Sequence, residues 1–489
     1  MTSDSTQQTL LQKLKPAGQE HLLRFWDQLS SAERTALAKQ IDELDLELFA
    51  QLKKKYGGAG AVATGDHRAH WADLAARASS PPAMRLDGTG VKFSKAEAIE
   101  RGQQLLKNGH VGMILVAGGL GTRLGFDEPK GMFPIGPLSQ RSLFQVLIEQ
   151  LLAARQHYNA NIPLYVMTSP ATDQKTREFL GQHDNFGLPA EDLHYFCQAT
   201  MWAVDDKWQR ILLSSPGEIV TAPDGHGGLL KAFEKSGALA DCQRRGLSVL
   251  FYGQIDNPLL QVCDPLLIGS HVLAQSEMTT QVVKKRHALE RVGNLVAADG
   301  RVQMIEYSDL PEDFAKQTLP DGSLKFWAGS LAVHVLDVAF LQRAAKADDA
   351  LPFHVAHKKT PHVDDNGNKI EPEQPNAFRF ERFIFDLLNS ANNALVIEAD
   401  PAEAFAPVKN ADREPTDNAP LARQAMMALY RRWLREAGVK IADDVPVELN
   451  PLFAASPAEI SAKLPAGTAI DKPTYFSPAG PTEVREPSR

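Results

Sequence analysis

The sequence AGGLGTRLGFDEPKG, Ala117–Gly131, decides how the rest of this chain is interpreted. It directly follows a short apolar run, VGMILV at Val111–Val116. Glycine permits positive φ angles and close approach of the backbone to a ligand, and successive amides in such a turn form a cluster of donors suited to phosphate oxygens. Arg123 and Lys130 add fixed positive charge. The segment therefore predicts a phosphate-binding loop that follows a strand.

Two familiar phosphate-binding loops do not match this segment. A P-loop requires a Lys-Ser or Lys-Thr pair after its glycines, and no such pair is present. A dinucleotide-binding loop requires G-x-G-x-x-G, but Gly119-Leu120-Gly121 is followed by Leu124 where the third glycine would stand. A nicotinamide-dependent dehydrogenase is therefore disfavoured. The glycines followed by a Pro-Lys pair resemble the loop of sugar nucleotidyltransferases.

Length and composition limit the class of protein. The 489 residues carry 52 Lys plus Arg against 60 Asp plus Glu, a net charge of −8, with 43% hydrophobic and 23% charged residues. These values exclude wholesale disorder, and the mild acidity argues against nucleic acid as a partner. Three scattered cysteines without a C-x-x-C pair and the lack of a long apolar run predict a cytoplasmic protein with no membrane partner.

The chain alternates short apolar runs with helical patterns from about residue 109 onward. Runs at 111–116, 163–169 and 247–256 predict buried strands of a mostly parallel sheet covered by helices on both faces. Residues 292–309 and 363–370 predict hairpins. The predicted divisions are a helical N-terminal region at 1–100, a core at 101–403 and a small C-terminal domain at 404–489.

The N-terminal hundred residues are predicted to be helical. Ser30 and Glu33 match a capping box, and apolar residues recur at helical spacing after it. These recurring residues are Leu37, Ile41, Leu44 and Leu48. The glycine-rich stretch 56–66 predicts a flexible link, and the last residues, 478–489, predict a frayed terminus.

Beyond the loop, several segments in one order resemble the UDP-sugar pyrophosphorylases, the eukaryotic-type UTP:sugar-1-phosphate uridylyltransferases, nearest their UDP-N-acetylhexosamine branch. They are AGGLGTRLG...PKGMFPIG, MTSPATDQKTREFL, APDGHGGL at 222–229, IDNPLLQVCDP at 255–265, IEYSD at 305–309 and AFAPVKNAD at 404–412. The resemblance implies an α/β fold: a GT-A-like, Rossmann-related nucleotidyltransferase core with a mixed sheet, a helical N-terminal region and a small β-containing C-terminal domain.

The resemblance also implies a reaction between UTP and a sugar 1-phosphate, yielding a UDP-sugar and pyrophosphate. N-acetylglucosamine 1-phosphate and glucose 1-phosphate are the expected sugar substrates, with a slight preference for the former. Many negative charges must converge in this reaction, so positive side chains and Mg²⁺ matter more than a general base. The alternative is a non-catalytic sensor that binds UDP-sugar on the same fold.

The matched motifs imply a role for each of a set of residues. Phosphate-directed catalytic charges are expected at Arg123, Lys130, Arg379 and Lys409. Nucleotide-binding positions are Val116, Ala117, Gly118, Gly119, Gln198, Pro223, Gly225 and Asp256, with Asp256 also the expected Mg²⁺ ligand. Sugar-binding positions are His226, Gly293, Glu306, Trp327 and Ser330.

Four of these positions depart from the N-acetylhexosamine branch. His226 stands where that branch usually has asparagine, Trp327 and Ser330 replace two asparagines, and Arg379 replaces a lysine. Arginine keeps the charge and binds phosphate in a bidentate way, so the chemistry is expected to survive. Loss of amide donors from a sugar pocket changes the choice of sugar. The uridylyl transfer is therefore a firmer expectation than any particular sugar.

A basic cluster at 354–359 lies outside these motifs. It comprises His354, His357, Lys358 and Lys359, and no carboxylate accompanies it at metal-ligand spacing in the sequence. We therefore predict a solvated or loop face there and no metal site.

Overall fold

A computed structural model describes residues 3–57, 64–347 and 351–484. Its helices are α1 (Ser3–Leu14), α2 (Ser31–Glu43), α3 (Leu46–Tyr56), α4 (Thr64–Arg77), α5 (Lys95–Lys107), α6 (Leu143–Tyr158), α7 (Asp173–Gln182), α8 (Leu229–Lys235), α9 (Ala238–Arg244), α10 (Pro265–Leu273), α11 (Glu312–Ala315), α12 (Val338–Ala345), α13 (Pro401–Ala404), α14 (Ala419–Glu436) and α15 (Pro457–Lys463).

The strands follow the same chain order. They are β1 (Ala83–Met84), β2 (Val111–Val116), β3 (Leu164–Thr168), β4 (Leu193–Cys197), β5 (Thr200–Trp202), β6 (Val204–Asp205), β7 (Leu213–Ser215), β8 (Glu218–Ile219), β9 (Thr221–Pro223), β10 (Val249–Gln254), β11 (Met278–Lys284), β12 (Asn294–Ala298), β13 (Arg301–Ile305), β14 (Ala328–Asp337), β15 (His354–Lys358), β16 (His362–Val363), β17 (Lys369–Ile370), β18 (Ala377–Glu381), β19 (Ala394–Glu398), β20 (Lys440–Ile441), β21 (Val447–Leu449), β22 (Ala469–Ile470), β23 (Thr474–Ser477) and β24 (Gly480–Glu483).

The chain divides into two compact units. The larger comprises Arg77–Gln198, Leu229–Ala350 and Leu387–Arg489, and the smaller comprises Met1–Ala76, Ala199–Gly228 and Leu351–Asp386. Each unit is thus built from three separate stretches of sequence. The three-part division at residues 100 and 403 stays a prediction.

The larger unit is built on a ten-stranded sheet in the order β1-β19-β11-β14-β10-β2-β3-β4, with β12 and β13 attached beside β14. The pairs β10–β2, β2–β3 and β3–β4 are parallel, whereas β14 runs antiparallel to both β10 and β11. The predicted α/β fold with a mixed sheet is therefore confirmed. Strands β2, β3 and β10 are almost wholly buried, which is why their sequences are continuous apolar runs.

A buried ionic network connects the start of α6 with β21 in the larger unit. The Arg141 guanidinium contacts Glu149 at 2.5 Å and Glu448 at 2.7 Å. The second carboxylate oxygen of Glu448 accepts from the amides of Leu138 and Ser139 at 2.7 Å each. Direct partners offset part of the cost of burying these charges, so removing one partner would be destabilising.

The smaller unit contains short antiparallel sheets around an aromatic core. Its three-stranded sheet has the order β15-β18-β6, and two-stranded pairs are β5–β9, β7–β8 and β16–β17. Trp208 stacks on Phe378, with ring centroids 4.9 Å apart, and Phe380 packs edge-on against Trp202. The N-terminal helices add apolar residues such as Leu37 to the same cluster.

The predicted helix starts and hairpins are largely confirmed. Ser30 and Glu33 form a reciprocal capping box at the start of α2. The hairpin predicted at 292–309 is β12–β13, and the one predicted at 363–370 is β16–β17.

Two local predictions are wrong. The apolar spacing from Leu37 to Leu48 suggested a continuing helix, but α2 ends at Glu43 because the Asp45 side chain accepts from the Leu48 amide and starts α3. The C-terminal residues 480–483 are not frayed, because β24 pairs with β23. Of the predicted link at 56–66, residues 58–63 lie outside the described part of the chain, as do residues 485–489.

Over the described ranges, none of the helices combines the length and apolarity that a membrane span requires. The three cysteines are free thiols.

Candidate active site

The glycine loop follows β2, as predicted, and folds back on itself. The Lys130 amide donates to the Gly119 carbonyl at 3.0 Å, and Leu120 bridges to Pro129. Gly125 has a φ of +72°, which a side chain would strain. The turn therefore returns Lys130 to the point where the chain leaves β2.

Gly118 packs closely against the ends of the neighbouring strands β3 and β4. A Cβ added there would lie 2.8 Å from Gln198 Oε1 and 3.3 Å from the carbonyl carbon of Thr168. The Ser169 hydroxyl donates to the Gly118 carbonyl at 2.7 Å, and the Gln198 amide donates to Thr168 at 2.9 Å. The ends of β2, β3 and β4 therefore bring Gln198 against the loop, although 80 positions separate it from Gly118.

Three cations and one carboxylate are brought together beside the loop. The Lys130 ammonium lies 3.9 Å from Asp256 Oδ2, and their side chains are 16% and 14% exposed. Burial lowers the pKa of Lys130, Asp256 opposes that shift, and the charges of Lys409 and Arg123 add to the lowering. Asp256, Lys409 and Arg123 are thus each within electrostatic range of Lys130, although the sequence spreads the four groups over nearly 300 positions.

Backbone hydrogen bonds explain how Asp256 and Lys409 reach this place. The Ile255 amide donates to Val116 at 3.0 Å, which continues the parallel pairing of β10 with β2. The Val408 amide donates to the Asp256 carbonyl at 2.8 Å. The position of Lys409 is therefore fixed relative to Asp256 by the main chain.

Two residues that the sequence analysis missed support this arrangement. The buried Asn257 side chain donates to the Ala404 carbonyl at 2.7 Å and accepts from the Ala406 amide at 3.0 Å. The Asp417 carbonyl accepts from the Lys409 amide at 2.7 Å, and burial raises the pKa of the Asp417 carboxyl while Lys409 opposes the shift. The sequence could have pointed to Asn257, because it directly follows Asp256 at a strand end. No sequence feature marks Asp417.

Three of the predicted sugar-binding residues meet at the β12–β14 junction. The Ser330 amide donates to the Gly293 carbonyl at 2.8 Å. A Cβ on Gly293 would lie 3.2 Å from Glu306 Oε1 and 2.6 Å from the Met304 sulfur, so a side chain there would displace Met304. Their roles with respect to a ligand stay predictions.

Trp327, the fourth predicted sugar residue in this unit, packs its ring against a cation. The Arg85 guanidinium carbon lies 3.8 Å from the ring centroid, and Arg85 also contacts Glu398 at 2.9 Å. The indole is 5% exposed. Part of the indole surface is therefore covered by the Arg85 guanidinium.

Lys285 is a further buried cation that the sequence did not single out. Its ammonium donates to Asn294 Oδ1 at 2.6 Å and to the Ala288 carbonyl at 3.1 Å. Burial lowers the pKa of Lys285 to about 8, with Glu290 opposing the shift. Lys285 therefore connects Ala288, which precedes Gly293, with Asn294, which directly follows it.

The remaining predicted residues, Pro223, Gly225, His226 and Arg379, belong to the smaller unit. Pro223 ends β9, and Gly225, with a φ of +80°, has no room for a Cβ, which would lie 2.3 Å from the Arg382 carbonyl oxygen. Arg379 lies on β18 and donates from Nε to the Thr360 hydroxyl at 3.2 Å.

The Asp224 carboxyl, within the same glycine motif, is buried beside Arg382. Burial raises the pKa of Asp224 to about 6, and Arg382 opposes the shift. A Cβ on Gly228 would lie 2.0 Å from Asp224 Oδ1. The motif is therefore closely packed on the Arg382 backbone and on the Asp224 carboxyl.

The basic cluster at 354–359 differs from its prediction at one residue. His354 lies on β15, not in a loop, and its Nε2 is 2.7 Å from Asp386 Oδ2. The carboxylate was invisible in sequence because it is 32 positions away. No cluster of three or more His, Cys, Asp or Glu side chains suited to a metal occurs in the described ranges.

Comparison with known proteins identifies relatives over most of the chain. A family described as UTP–glucose-1-phosphate uridylyltransferase matches residues 82–442. A Mus musculus protein named UDP-N-acetylhexosamine pyrophosphorylase-like protein 1 is 34% identical, covering 90% of this chain and 87% of its own length. The UDP-N-acetylglucosamine pyrophosphorylase of Saccharomyces cerevisiae is 31% identical, covering 89% of this chain and 92% of its own.

A solved structure agrees with these relatives. The uridine diphosphate N-acetylglucosamine pyrophosphorylase from Trypanosoma brucei is similar with a TM-score of 0.76 and 25% identity, covering 95% of each chain. The sequence motifs, the mixed sheet and the glycine loop with its cations all fall within the matched region. The chain therefore belongs to the UTP–glucose-1-phosphate uridylyltransferase family.

Proposed function

We propose that the protein transfers the uridylyl group of UTP to a sugar 1-phosphate. A phosphate oxygen of the sugar phosphate attacks the α-phosphorus of UTP; that P–O bond forms while the bond to the β-phosphate oxygen breaks, and pyrophosphate leaves. The nucleophile is already ionised, so the protein must supply positive charge, not a base. The proximity of Arg123, Lys130, Asp256 and Lys409 beside the glycine loop is the observation that carries this proposal.

Each charge has a proposed part in the reaction. Arg123 and Lys130 bind the triphosphate and the departing pyrophosphate, while Lys409 stabilises the phosphates at the reacting centre. Arg379 is proposed as a further phosphate ligand through its two-pronged guanidinium. Burial lowers the pKa of Lys130, and the nearby Lys409 and Arg123 add to that lowering, which supports this assignment because a bound polyanion stabilises such a cluster of cations.

The nucleotide is proposed to lie along the loop. Its phosphates and ribose would be held by the backbone of residues 116–119, that is, Val116, Ala117, Gly118 and Gly119. Gln198 would pair with the hydrogen-bonding edge of uracil. Pro223 and Gly225 would pack against the base. A side-chain amide offers the paired donor and acceptor that uracil requires. The close approach of Gln198 to Gly118 supports its assignment.

Mg²⁺ is the proposed cofactor, with Asp256 as its protein ligand. Magnesium is commonly held by one or two carboxylates together with substrate phosphates and water, so one aspartate suffices at such a site. Bound there, the ion would neutralise charge on the triphosphate. The partly exposed Asp256 side chain, whose salt-bridge partner Lys130 is 3.9 Å away, fits this use.

N-acetylglucosamine 1-phosphate is the first sugar substrate to test and glucose 1-phosphate the second. The names of the relatives favour the acetylated sugar. His226, Trp327 and Ser330 differ from that branch, and Gly293 and Glu306 match it. We also propose a cytoplasmic location, because the three cysteines are free thiols, which suits a reducing compartment.

A pyrophosphate-release assay tests the proposal. UTP and Mg²⁺ are supplied with N-acetylglucosamine, N-acetylgalactosamine, glucose and galactose 1-phosphates in turn, and reactions without sugar phosphate or with chelator are the controls. We expect turnover with N-acetylglucosamine 1-phosphate or with glucose 1-phosphate. Binding of UDP-sugar by calorimetry without turnover for any sugar would instead indicate the sensor.

A further inference from the structure

The larger unit contains a cavity of about 410 Å³ between α6 and α14. One side of it consists of α6 residues between 146 and 158 that share a helical face, and α14 contributes Leu429 and Trp433. The segment 258–265 and residues from 449 to 459 form much of the remaining wall, and all of these residues belong to the larger unit. The volume is in the range of binding sites for small organic molecules. We call this space the α6–α14 cavity.

Much of the wall of the α6–α14 cavity is apolar. Val146, Leu260, Val262, Leu429 and Trp433 are among the residues that line it. The Trp433 side chain is half-buried, so part of the indole is open to a molecule in the cavity. An apolar wall favours a ligand with a carbon skeleton, and an indole face attracts a cation.

Three carboxylates line the same cavity, those of Asp264, Glu403 and Glu459. Glu459 Oε1 lies 3.1 Å from His157 Nδ1, and Glu403 Oε1 lies 2.8 Å from the Arg432 guanidinium. Among the described residues that line the cavity, none is a lysine or an arginine. The α6–α14 cavity therefore combines an apolar wall with an excess of negative charge.

Asp264 is the carboxylate whose charge is least compensated. Its Oδ1 accepts from the Leu266 amide at 3.0 Å, at the start of α10, and no lysine, arginine or histidine of the described ranges forms a salt bridge with it. Burial raises the pKa of Asp264 to about 6, Glu403 adds to this shift, and backbone amides of α10 oppose it. A cation between Asp264 and Glu403 would remove the repulsion between the two carboxylates.

We propose that the α6–α14 cavity binds a small organic cation, with its carbon skeleton against the apolar wall and Trp433 and its protonated amine beside Asp264 and Glu403. Anions such as UTP and sugar phosphates are repelled by the same carboxylates, so this site is separate from the one that would hold the substrates. The inference does not depend on the proposed uridylyl transfer.

The first test compares three small molecules that share an indole ring and differ in charge. Tryptamine is a cation, tryptophol is neutral and indole-3-acetate is an anion. In calorimetry at neutral pH without substrates, we expect tryptamine to bind at least about tenfold more tightly than tryptophol, and indole-3-acetate more weakly than either. Equal affinities for the three molecules, or no binding of tryptamine at about 5 mM, would overturn the proposal.

The second test locates the binding site with Asp264→Asn. Asparagine keeps an oxygen that can cap α10 and removes only the charge, so the variant is expected to fold. We expect the Kd for tryptamine to rise about five- to twentyfold, with the Kd for tryptophol unchanged. Asp471→Asn, an exposed aspartate of the same unit, is the matched control. Tryptamine affinity equal to that of the control would contradict the assignment of Asp264.

The third test fills the cavity from α6. Ala153 is half-buried and lines the cavity, so Ala153→Phe would occupy space that a ligand needs. We expect this variant to lose binding of both tryptamine and tryptophol, whereas Ala96→Phe, at an exposed position of α5, keeps it. Circular dichroism verifies that each variant is folded, and if Ala153→Phe is not, Asp264→Asn still decides. Undiminished binding to folded Ala153→Phe would show that the molecules bind elsewhere and would overturn the proposal.

Discussion

Two groups of charges in the larger unit differ in how well the protein satisfies them. Arg141 is 3% exposed and has direct contacts of 2.5 and 2.7 Å to two carboxylates, so its pKa is raised. Burial lowers the pKa of Lys130, its carboxylate partner Asp256, 3.9 Å away, only partly opposes that shift, and two cations add to the lowering. Charges with direct partners, such as Arg141, serve the fold. Charges without enough partners, such as Lys130, gain binding free energy when a polyanion binds.

We expect the largest change in stability when the buried network around Arg141 is broken. Glu448→Ala leaves Arg141 without its closest partner on β21 and also removes the acceptor for two amides. We expect the free energy of unfolding to fall by about 2–4 kcal/mol, because Arg141 keeps only Glu149 as a carboxylate partner and the two amides lose their acceptor. Urea unfolding of this variant and of Glu436→Ala, an exposed control in the same unit, measures it. A loss no greater than that of the control would mean that the network adds nothing.

The next effect concerns turnover, not folding. Lys409→Ala removes a charge from the unsatisfied group, and we expect kcat to fall by about 10²–10³-fold with little change in unfolding. Pyrophosphate release measures kcat, and the exposed Lys107→Ala is the matched control. Near-normal turnover would remove Lys409 from the reaction.

The sharpest test of the contrast is Lys130→Met. Removing a repelled, buried ammonium relieves a cost in the ligand-free protein, so we expect the free energy of unfolding to stay the same or to rise by about 0.5–2 kcal/mol, while turnover falls. Thermal unfolding without ligand, followed by the pyrophosphate assay, gives both quantities. A clear loss of stability would show that Lys130 belongs with Arg141 as a structural cation.

The smallest effect is expected at a satisfied pair that is partly exposed. Arg343 contacts both Glu277 oxygens, at 2.8 and 2.6 Å, and these bonds lower the pKa of Glu277 to about 2. A carboxyl whose pKa is lowered on folding stabilises the protein above its unfolded pKa, and that stabilisation is lost as the pH falls towards 2. The Tm difference between wild type and Glu277→Gln should therefore be constant above about pH 5 and shrink below about pH 4.5. A difference that is independent of pH would contradict this.

Local sequence patterns predicted the elements that position the candidate site. The apolar runs at 111–116 and 247–256 became β2 and β10 because strands buried on both faces need continuous apolar sequence. The break between α2 and α3 was missed because a single cap, Asp45, overrides apolar periodicity. Local rules therefore worked for regular elements and failed where one side chain decides.

Contacts between distant residues are the part that the sequence did not predict. Neither the Arg141–Glu448 contact nor the His354–Asp386 contact leaves a trace in local spacing, because 307 and 32 positions separate the partners. Lys130, Asp256 and Lys409 were singled out only through motif resemblance, and their mutual distances follow from the order of strands in the sheet. Asp417 was missed because nothing in its neighbourhood marks it.

The hydrogen bond from the Val408 amide to the Asp256 carbonyl restricts where the chain tolerates added or deleted residues. One residue inserted between Asn257's contacts at 404–406 and Lys409 would turn the lysine to the opposite side of the segment, since consecutive side chains of extended chain alternate. The loop 411–416 is held by side-chain bonds from Asn410 and Asn418, but it does not set the position of Lys409, because the Lys409 and Asn410 amides both donate to the Asp417 carbonyl behind it. Length variation among relatives should therefore accumulate in that loop and be absent from the six residues before it.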